Sequence, residues 1–451
     1  MGRRNGLLTS IVVFGGLFGG LPTIAQQLPY VDQDFSCISS QEAQRYINDF
    51  KIDADSFGGI ELCDSKVDSK KLFNDLQIIE HGQFEKDSSN LLIKSFVPAD
   101  QYYPWMRSQT RGMNRGNDVP YATAYNRWGY FTMQDGWAKL STLGRVGTVI
   151  HEARHTAGYR HYPCNKGPYM GASLDGCDQS YSQAGSHAIE MEYYARVSVT
   201  GKNFHPVYKS MARLMAMGRS NFVFNASPIQ KREALLAMGD FNTPVLFDGA
   251  RKLSREGSDF VGRLKRTSFG GALFNGLQAV ALDMYEVTAF RPNRNDDYSY
   301  FKLLLSNNKF GELKDFEEFD LNQKRYVAAI SKSNELATYN FPRGGWNSPQ
   351  ATSLNIERSA TRLPTGEEGY FLVDQTGAIH SLNAEAQQLT ALGKTWDPQI
   401  LSVAQYNSQI LLLKTNGSIY QKNKDGSETL FDQDRYSEMV SVPLYDAFEV
   451  K

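Results

Sequence analysis

The chain carries almost no excess charge and lacks long apolar runs beyond its first 25 residues. Forty-eight basic against forty-nine acidic residues leave a formal charge of −1, so no long-range field attracts nucleic acid or an anionic membrane. We therefore expect no nucleic-acid partner. No later stretch approaches the roughly 18 apolar residues of a membrane-spanning helix, so we expect no stable membrane insertion of the mature chain. At 451 residues the chain exceeds one compact core, which predicts a multidomain protein.

Cysteine is also scarce, with four residues in the chain and no C-x-x-C spacing typical of a cysteine zinc site. An even number of cysteines in an oxidising compartment favours two disulfides. Four cysteines allow three connectivities, and short loops cost the least chain entropy to close. We therefore expect the local pairs Cys37 with Cys63 and Cys164 with Cys177.

The first 25 residues differ in composition from the rest. Arg3 and Arg4 precede an apolar segment, and Thr23 and Ala25 place small residues at −3 and −1 of a cleavage site. This pattern predicts a signal peptide over residues 1–25 and a secreted or periplasmic protein. An N-terminal membrane anchor is the alternative, since the apolar segment is at the short edge of what spans a bilayer.

Residues 26–240 contain mainly helical patterns and predict an α-rich α+β domain. Ser39 and Glu42 have the spacing of a capping box that opens a helix. Ser227 and Pro228 have the form of a helix start, which predicts a helix ending at Gly239. Further helical patterns lie near 66–80, 141–158, 186–198 and 206–217, and residues 121–133 favour a strand.

Residues 241–451 show period-two apolar runs separated by turn residues. Three windows, 43 and 40 residues apart, align without gaps: 328–340, 371–383 and 411–423. Fainter copies surround Asp248 and Asp283. A hairpin repeated at this period is typical of propeller blades, so we expect an all-β repeat domain that resembles a β-propeller of about five blades. An irregular β-sandwich is the alternative. Either would present a surface for an extracellular or envelope ligand.

The candidate catalytic residues lie between His151 and His161. This segment contains three of the seven histidines of the chain. His151 and His155 are one helical turn apart, so their imidazoles can hold one metal ion. Glu152 is placed to take a proton from a metal-bound water. Gly158 can end the helix and turn the chain so that His161 supplies a third imidazole. Three imidazoles and a water form an open zinc site, in which the pKa of the water falls to roughly 7 to 9.

This segment, His-Glu-x-x-His-x-x-Gly-x-x-His, resembles the signature of metzincin-type zinc metalloproteases. The resemblance covers eleven residues of 451 and implies a zincin-like catalytic domain. It implies that His151, His155 and His161 bind Zn²⁺ and that Glu152 is the general base and acid of peptide-bond hydrolysis. The sequence thus predicts an exported zinc endopeptidase that acts on proteins or peptides. The alternatives are a zinc hydrolase of a non-peptide amide or ester, and a propeller-type binding or adhesion protein with a structural zinc.

A second group of polar residues follows between Gly185 and Tyr194. His187 and Glu190 share one face of a predicted helix. Glu190 is a candidate to support a ligand imidazole, or to be the third ligand itself if the first helix continues past Gly158. His187 is a candidate donor to an oxyanion. An ordinary amphipathic helix with a solvated Glu190 is the alternative.

Overall fold

The structure is a computed structural model. It describes residue 31, residues 37–119, 122–166, 169–172, 175–240, 243–254, four short strands between 264 and 290, and 313–321, 324–340, 345–385, 387–445 and 447. The predicted signal peptide, residues 1–25, lies outside the described residues. Among the described helices, none is both long and apolar enough to cross a bilayer.

Helices predominate over strands in the described part of the chain up to residue 222. Its described helices are α1 Ser40–Phe50, α2 Asp68–His81, α3 Tyr102–Gln109, α4 Asp135–Ala138, α5 Thr142–Thr156, α6 Ser186–Thr200 and α7 Pro206–Phe222. The Ser39 hydroxyl accepts from the Glu42 N–H at 3.1 Å, as the capping pattern predicts. The helices predicted near 66–80, 141–158, 186–198 and 206–217 are confirmed as α2, α5, α6 and α7.

A three-stranded sheet packs beside these helices. It contains β1 Gly112–Arg115, β2 Ala124–Arg127 and β3 Tyr130–Met133, in the order β1-β3-β2. Strand β1 is parallel to β3, whereas β2 is antiparallel to β3 and forms an edge of this sheet. The strand predicted within residues 121–133 is thus a hairpin. Every residue of α5 from Thr142 to Ala153 is buried, so this helix lies at the centre of the helical region.

The C-terminal region is all-β and contains several small antiparallel sheets. One sheet joins β4 Lys231–Gly239, β5 Pro244–Asp248, β6 Arg251–Ser254 and β24 Tyr436–Tyr445. A second contains β7 Leu264–Arg266, β8 Gly271–Phe274, β9 Gln278–Leu282 and β10 Val287–Phe290. A third contains β11 Leu313–Leu321, β12 Lys324–Ser331, β13 Glu335–Asn340, β14 Gly345–Trp346 and β15 Gln350–Ala351. The fourth contains β16 Ile356–Arg362, β17 Glu368–Asp374, β18 Ala378–Asn383 and β19 Gln388–Thr395, and the fifth contains β20 Ile400–Tyr406, β21 Gln409–Lys414, β22 Ile419–Lys422 and β23 Glu428–Asp432.

The repeated hairpins are confirmed. The three aligned windows correspond to the antiparallel pairs β12–β13, β17–β18 and β21–β22. The fainter copy around Asp248 is the hairpin β5–β6. The fainter copy around Asp283 lies between β9 and β10, which pair with each other. Its turn residues Asp283 and Met284 lie outside the described residues.

The helix predicted from Ser227 to Gly239 is wrong, because this segment contains the strand β4, which is hydrogen bonded to both β24 and β5. Alternate side chains of β4 enter two separate cores: Ala234 and Leu236 pack into one, and Leu235 and Ala237 into the other. A strand covered on both faces has a continuous apolar run, which periodicity alone does not distinguish from a buried helix.

The predicted boundary at residue 241 falls inside this first sheet, between β4 and β5, so the β region begins at Lys231. The helical and β regions also share buried contacts. Val327, Ala329 and Ala337, from β12 and β13, belong to the same hydrophobic cluster as the helices. The Asn90 side chain donates to the Ala447 carbonyl at 2.6 Å. The two regions are therefore in contact through buried residues of both.

Candidate metal centre

The helix α5 ends where the sequence predicts, and the chain then turns back toward it. Gly158 has φ +88°, and a Cβ atom there would meet nothing within 4 Å, so backbone conformation and not space selects glycine. The Gly158 N–H donates to the His155 carbonyl at 3.0 Å. After this turn His161 reaches His151, with their Nε2 atoms 3.1 Å apart. The Nε2 atoms of His155 and His151 are 3.2 Å apart.

These spacings fit a metal ion. Nitrogen ligands about 2.0 to 2.1 Å from a tetrahedral zinc lie roughly 3.3 to 3.4 Å from one another. The surroundings of His151 and His155 favour the neutral imidazole, which is the form that binds metal. Burial and the neighbouring His187 hold the pKa of His151 well below its usual range. Burial and the neighbouring His161 lower the pKa of His155 to about 4.

The other ring nitrogen of each histidine faces an oxygen acceptor. An acceptor at Nδ1 favours the tautomer with its proton there and leaves the Nε2 lone pair for a metal. The three pairs are His151 Nδ1 with Glu190 Oε2 at 3.3 Å, His155 Nδ1 with the Tyr159 carbonyl at 2.7 Å, and His161 Nδ1 with Asp178 Oδ1 at 3.4 Å. The last is an electrostatic contact and not a well-formed hydrogen bond. The Nε2 lone pairs of His155 and His161 would then both approach that of His151, and they repel it unless a cation lies between them.

Glu152 combines burial with an unpartnered oxygen. The residue is 4% exposed, and its Oε2 atom has no hydrogen-bond partner among the described residues. Burial and the charge of Glu190 raise the pKa of Glu152 to about 8. A buried carboxyl that is not held by other groups and that titrates near neutral pH is suited to move a proton.

Glu190 lies behind His151 on the neighbouring helix α6 and is 1% exposed. Its Oε1 atom accepts from the Tyr194 hydroxyl at 2.9 Å and from Arg219 at 2.6 Å. Burial would raise the pKa of Glu190, but Arg219 and the imidazoles outweigh it and hold the pKa well below its usual range. Glu190 is therefore an anion that faces the Nδ1 side of His151, away from the Nε2 atoms.

Gly147 allows α6 to approach this closely. A Cβ atom at Gly147 would lie 1.9 Å from the Tyr194 hydroxyl oxygen and 3.0 Å from Glu190 Oε1. The absence of a side chain one turn before His151 therefore makes room for Tyr194 and for the carboxylate that supports His151.

His187 adds a fourth imidazole to the cluster and is 7% exposed. Its ring centroid lies 4.5 Å from that of His151 and 4.6 Å from that of His161. Its Nε2 atom is 3.1 Å from the Gly176 carbonyl. Its Nδ1 atom lies 3.5 Å from Glu190 Oε2 and makes no hydrogen bond within the described structure. Candidate ligand atoms of His151, His161 and His187 all lie within 4.8 Å of one another.

Sequence reasoning did not single out Asn126, which connects the edge strand to the site. The Asn126 amide donates to the Glu152 carbonyl at 2.5 Å and to the Thr156 hydroxyl at 2.8 Å. Its side-chain oxygen accepts from the Gly129 N–H at 2.8 Å in the β2–β3 turn. The β2–β3 hairpin is thus attached to α5. The sequence predicted the strand but not this attachment, because the partners of Asn126 are 26 and 30 residues away.

Asp178 was also missed. It is 2% exposed, and its Oδ2 atom accepts from the N–H groups of His187 and Ala188 at 3.1 and 3.2 Å. It thereby caps α6, whose N-cap residue Gly185 has no side chain to do so. Burial would raise the pKa of Asp178, but its contacts with His161 and His187 lower it. The sequence feature that could have indicated Asp178 was its position directly after Cys177.

Both predicted disulfides are confirmed: Cys37 pairs with Cys63, and Cys164 pairs with Cys177. Two disulfides are consistent with an exported protein. Beside the second bond, Tyr162 and Cys177 form an antiparallel bridge with N–H to carbonyl distances of 2.7 and 3.0 Å. The segment that directly follows His161 is therefore held by one covalent bond and two backbone hydrogen bonds.

Comparison with known proteins gives no family. No family model matches the chain, and no curated protein matches it. Similar solved structures include apo AztD from Citrobacter koseri, with 10% identity, 46% of this chain and 62% of that chain covered, and a TM-score of 0.22. BBS1N in complex with ARL6DN has 10% identity, 45% and 64% coverage and a TM-score of 0.22. BamB from Moraxella catarrhalis has 13% identity, 45% and 62% coverage and a TM-score of 0.20. In each case the match spans less than two thirds of the other chain, and likeness at these TM-scores indicates no activity.

Proposed function

We propose that the protein is an exported zinc-dependent endopeptidase. The observation that carries this proposal is the approach of two Nε2 atoms, those of His161 and His155, to His151 Nε2 at 3.1 and 3.2 Å, together with the adjacent buried carboxyl of Glu152, whose Oε2 atom has no partner among the described residues. His151, His155 and His161 would hold the ion. Zinc in such a site activates water and polarises a peptide carbonyl. The resemblance of residues 151–161 to the metzincin signature supports peptide hydrolysis.

Glu152 holds and moves the proton in this proposal. Its ionised form accepts a proton from water, and its protonated form then gives that proton to the leaving amine. The carboxylate of Glu190 supports His151 from behind. Glu190 and Glu152 thus have separate roles that follow from their surroundings, because Glu190 has a cation and a hydroxyl beside it and Glu152 has neither.

An extended peptide substrate fits the edge strand β2. In the described sheet this strand pairs only with β3, so its other side can bind a peptide through backbone hydrogen bonds. The side chain of Asn126 in β2 is hydrogen bonded to α5. These bonds hold the free edge of β2 at a constant distance from the helix that carries Glu152. The substrate would therefore lie beside the three histidines.

We extend the proposal to the architecture and location. The helical region would be a zincin-like catalytic domain, and the five sheets of the β region would be the blades of a propeller that β24 closes. Its surface would bind extracellular or envelope material. The two disulfides and the predicted signal peptide support a secreted or periplasmic location.

One observation favours a second candidate, a binding or adhesion protein with a structural zinc. His187 is close enough to the cluster to be considered as a fourth protein ligand, and structural zinc sites have all four positions filled by protein. In that case no water would bind the ion, and Glu152 would have no proton to move.

Metal removal and restoration tests the proposal. The mature protein is stripped with a chelator and then titrated with zinc, while hydrolysis of a fluorogenic casein substrate and of a small ester is followed. We expect one zinc per chain and casein hydrolysis that disappears and returns with the metal. Ester hydrolysis alone would favour a non-peptide hydrolase. One tightly bound zinc with no hydrolysis of either substrate would favour the structural site.

A further inference from the structure

Asp178 connects three parts of the site that are separate in sequence. Its Oδ1 atom lies 3.4 Å from His161 Nδ1, and its Oδ2 atom accepts from the first N–H groups of α6. A Cβ atom at Gly185 would lie 2.4 Å from Asp178 Oδ2, so glycine at this position makes room for the carboxylate. One buried side chain therefore faces both the third histidine and the helix that carries His187 and Glu190.

The backbone of Asp178 is held on both sides. On one side, the residue before it, Cys177, is joined to Cys164 and bridged to Tyr162. On the other side, the Asp178 N–H donates to the Val223 carbonyl at 2.8 Å, and its carbonyl accepts from the Asn225 N–H at 3.0 Å. Its position therefore depends on a disulfide that closes a 13-residue separation.

The disulfide and the bridge hold two short segments side by side. Tyr162 and Cys177 are bridge partners, so their neighbours His161 and Asp178 are brought next to each other. Without the covalent bond, two backbone hydrogen bonds would remain to keep these segments in register. The contact between His161 and Asp178 would then compete with the conformational entropy of the freed loop.

We propose that Asp178 is a positioning residue for His161 and that the Cys164–Cys177 disulfide holds it in place, so that zinc affinity depends on this disulfide. The inference rests on the metal site of the proposed function and not on peptidase activity. A carboxylate beside Nδ1 favours the tautomer with the ring proton on Nδ1 and leaves the Nε2 lone pair free to bind metal. The second disulfide, Cys37–Cys63, joins the segments before α1 and α2 and makes no contact of this kind with a histidine of the cluster among the described residues.

The variant Asp178→Asn separates positioning from capping. Its amide oxygen still accepts from the N–H groups of α6, since asparagine is a good N-cap residue. Its NH₂ group then faces His161 Nδ1 and donates to it, which favours the tautomer with the ring proton on Nε2 and so weakens metal binding. If the amide flips, its NH₂ group meets the N–H groups of α6 instead, so neither orientation satisfies both neighbours.

The experiment measures zinc affinity by competition with a chelating indicator, the absorption of the Co²⁺ form, and the melting temperature of the chelator-treated protein. For Asp178→Asn we expect a ten- to hundredfold loss of zinc affinity, as is typical when the partner of a ligand imidazole is removed. We also expect a changed Co²⁺ absorption band and a metal-free melting temperature near that of the wild type. Cys164→Ala with Cys177→Ala should weaken zinc binding in the same way.

The matched control is Cys37→Ala with Cys63→Ala, which also removes one disulfide and should leave zinc affinity unchanged even if the protein melts at a lower temperature. Wild-type zinc affinity in Asp178→Asn, or equal losses of stability and affinity in it, would overturn the inference. Wild-type zinc affinity in a folded 164/177 double variant would overturn the part that concerns the disulfide, and if that variant does not fold, zinc affinity of the wild type before and after reduction of its disulfides by a thiol tests this part instead. Because no assay here measures hydrolysis, this zinc pattern in a protein without peptidase activity would retain the inference and refute the proposed function.

Discussion

The Nε2 atoms of His151 and His161 lie 3.1 Å apart, although ten residues separate them along the chain. A continuous helix would not bring them together, since residues ten apart on an α-helix are about 15 Å apart along its axis. The turn at Gly158 therefore makes the difference between a two-histidine and a three-histidine site.

His161→Ala should cost more zinc affinity than Glu190→Gln. The first change removes a proposed ligand, whereas the second removes an acceptor behind His151 and should cost about ten- to hundredfold. Zinc titration of both variants checks this order. His380→Ala is the control, because His380 lies in the β region beside Asp374 and should not affect zinc affinity. A His161→Ala protein that still binds zinc tightly would show that the third ligand lies elsewhere.

Glu152→Gln should keep one zinc per chain and abolish hydrolysis. The amide has the same shape as the carboxyl but cannot accept the proton of water, and Glu152 is not one of the proposed ligands. Metal analysis and the casein assay on the same preparation test both halves. Glu85→Gln, at an exposed glutamate, should change neither. Retained turnover, or loss of the metal, would contradict the role given to Glu152.

Gly158→Ala should weaken zinc binding as well as stability. Alanine is strained at φ +88° by about 1 to 2 kcal/mol, so the turn that returns His161 becomes less favourable. Gly426→Ala is a matched control, because Gly426 has φ +87° and no atom within 4 Å of its would-be Cβ, in the β region. Both variants should melt at lower temperature, but zinc affinity should fall in Gly158→Ala alone. Equal zinc affinity in the two variants would disprove the role of the turn.

Asp374→Asn should destabilise the protein at neutral pH but not in strong acid. Hydrogen bonds from Thr376 and His380 lower the pKa of Asp374 to about 2. A carboxyl with a lowered pKa stabilises the fold above its unfolded pKa of about 3.9, and this stabilisation is lost as the pH falls toward 2. Urea midpoints of the wild type and the variant should therefore differ at pH 5 and converge near pH 2. A constant difference over this range would show that ionisation of Asp374 does not contribute.

Local signals made α5 and its first two histidines predictable. Ser141 caps the helix through the Gly144 N–H at 3.1 Å, and Gly158 ends it in a conformation that glycine favours. The hairpin repeats were also accessible, because turn residues and period-two runs recur at a nearly constant spacing. Each of these features depends on residues close together in sequence.

The features that were missed depend on distant contacts. Strand β4 has a helix-like run of alanine and leucine, and its identity follows from pairing with β24 and from cores on both faces. The roles of Asp178 and Asn126 arise from partners on other elements, and no local sequence pattern distinguishes a single acidic or amide residue of this kind. The position of His187 within the histidine cluster likewise requires α5 and α6 to be packed together.

The pairing of β4 with β24 means that the first sheet of the β region needs residues from both ends of that region. The Ser437 hydroxyl donates to the Met238 carbonyl across 199 residues of chain. During synthesis β4 therefore lacks its partner until residues 436–445 are made, and until then one edge of β4 has unpaired backbone N–H and carbonyl groups to which another chain can pair. The helices that carry the histidines are all present by residue 222. The residues proposed to bind the metal are therefore synthesised before either strand of this pair, so the metal site and the uncovered edge of β4 arise at different stages of synthesis.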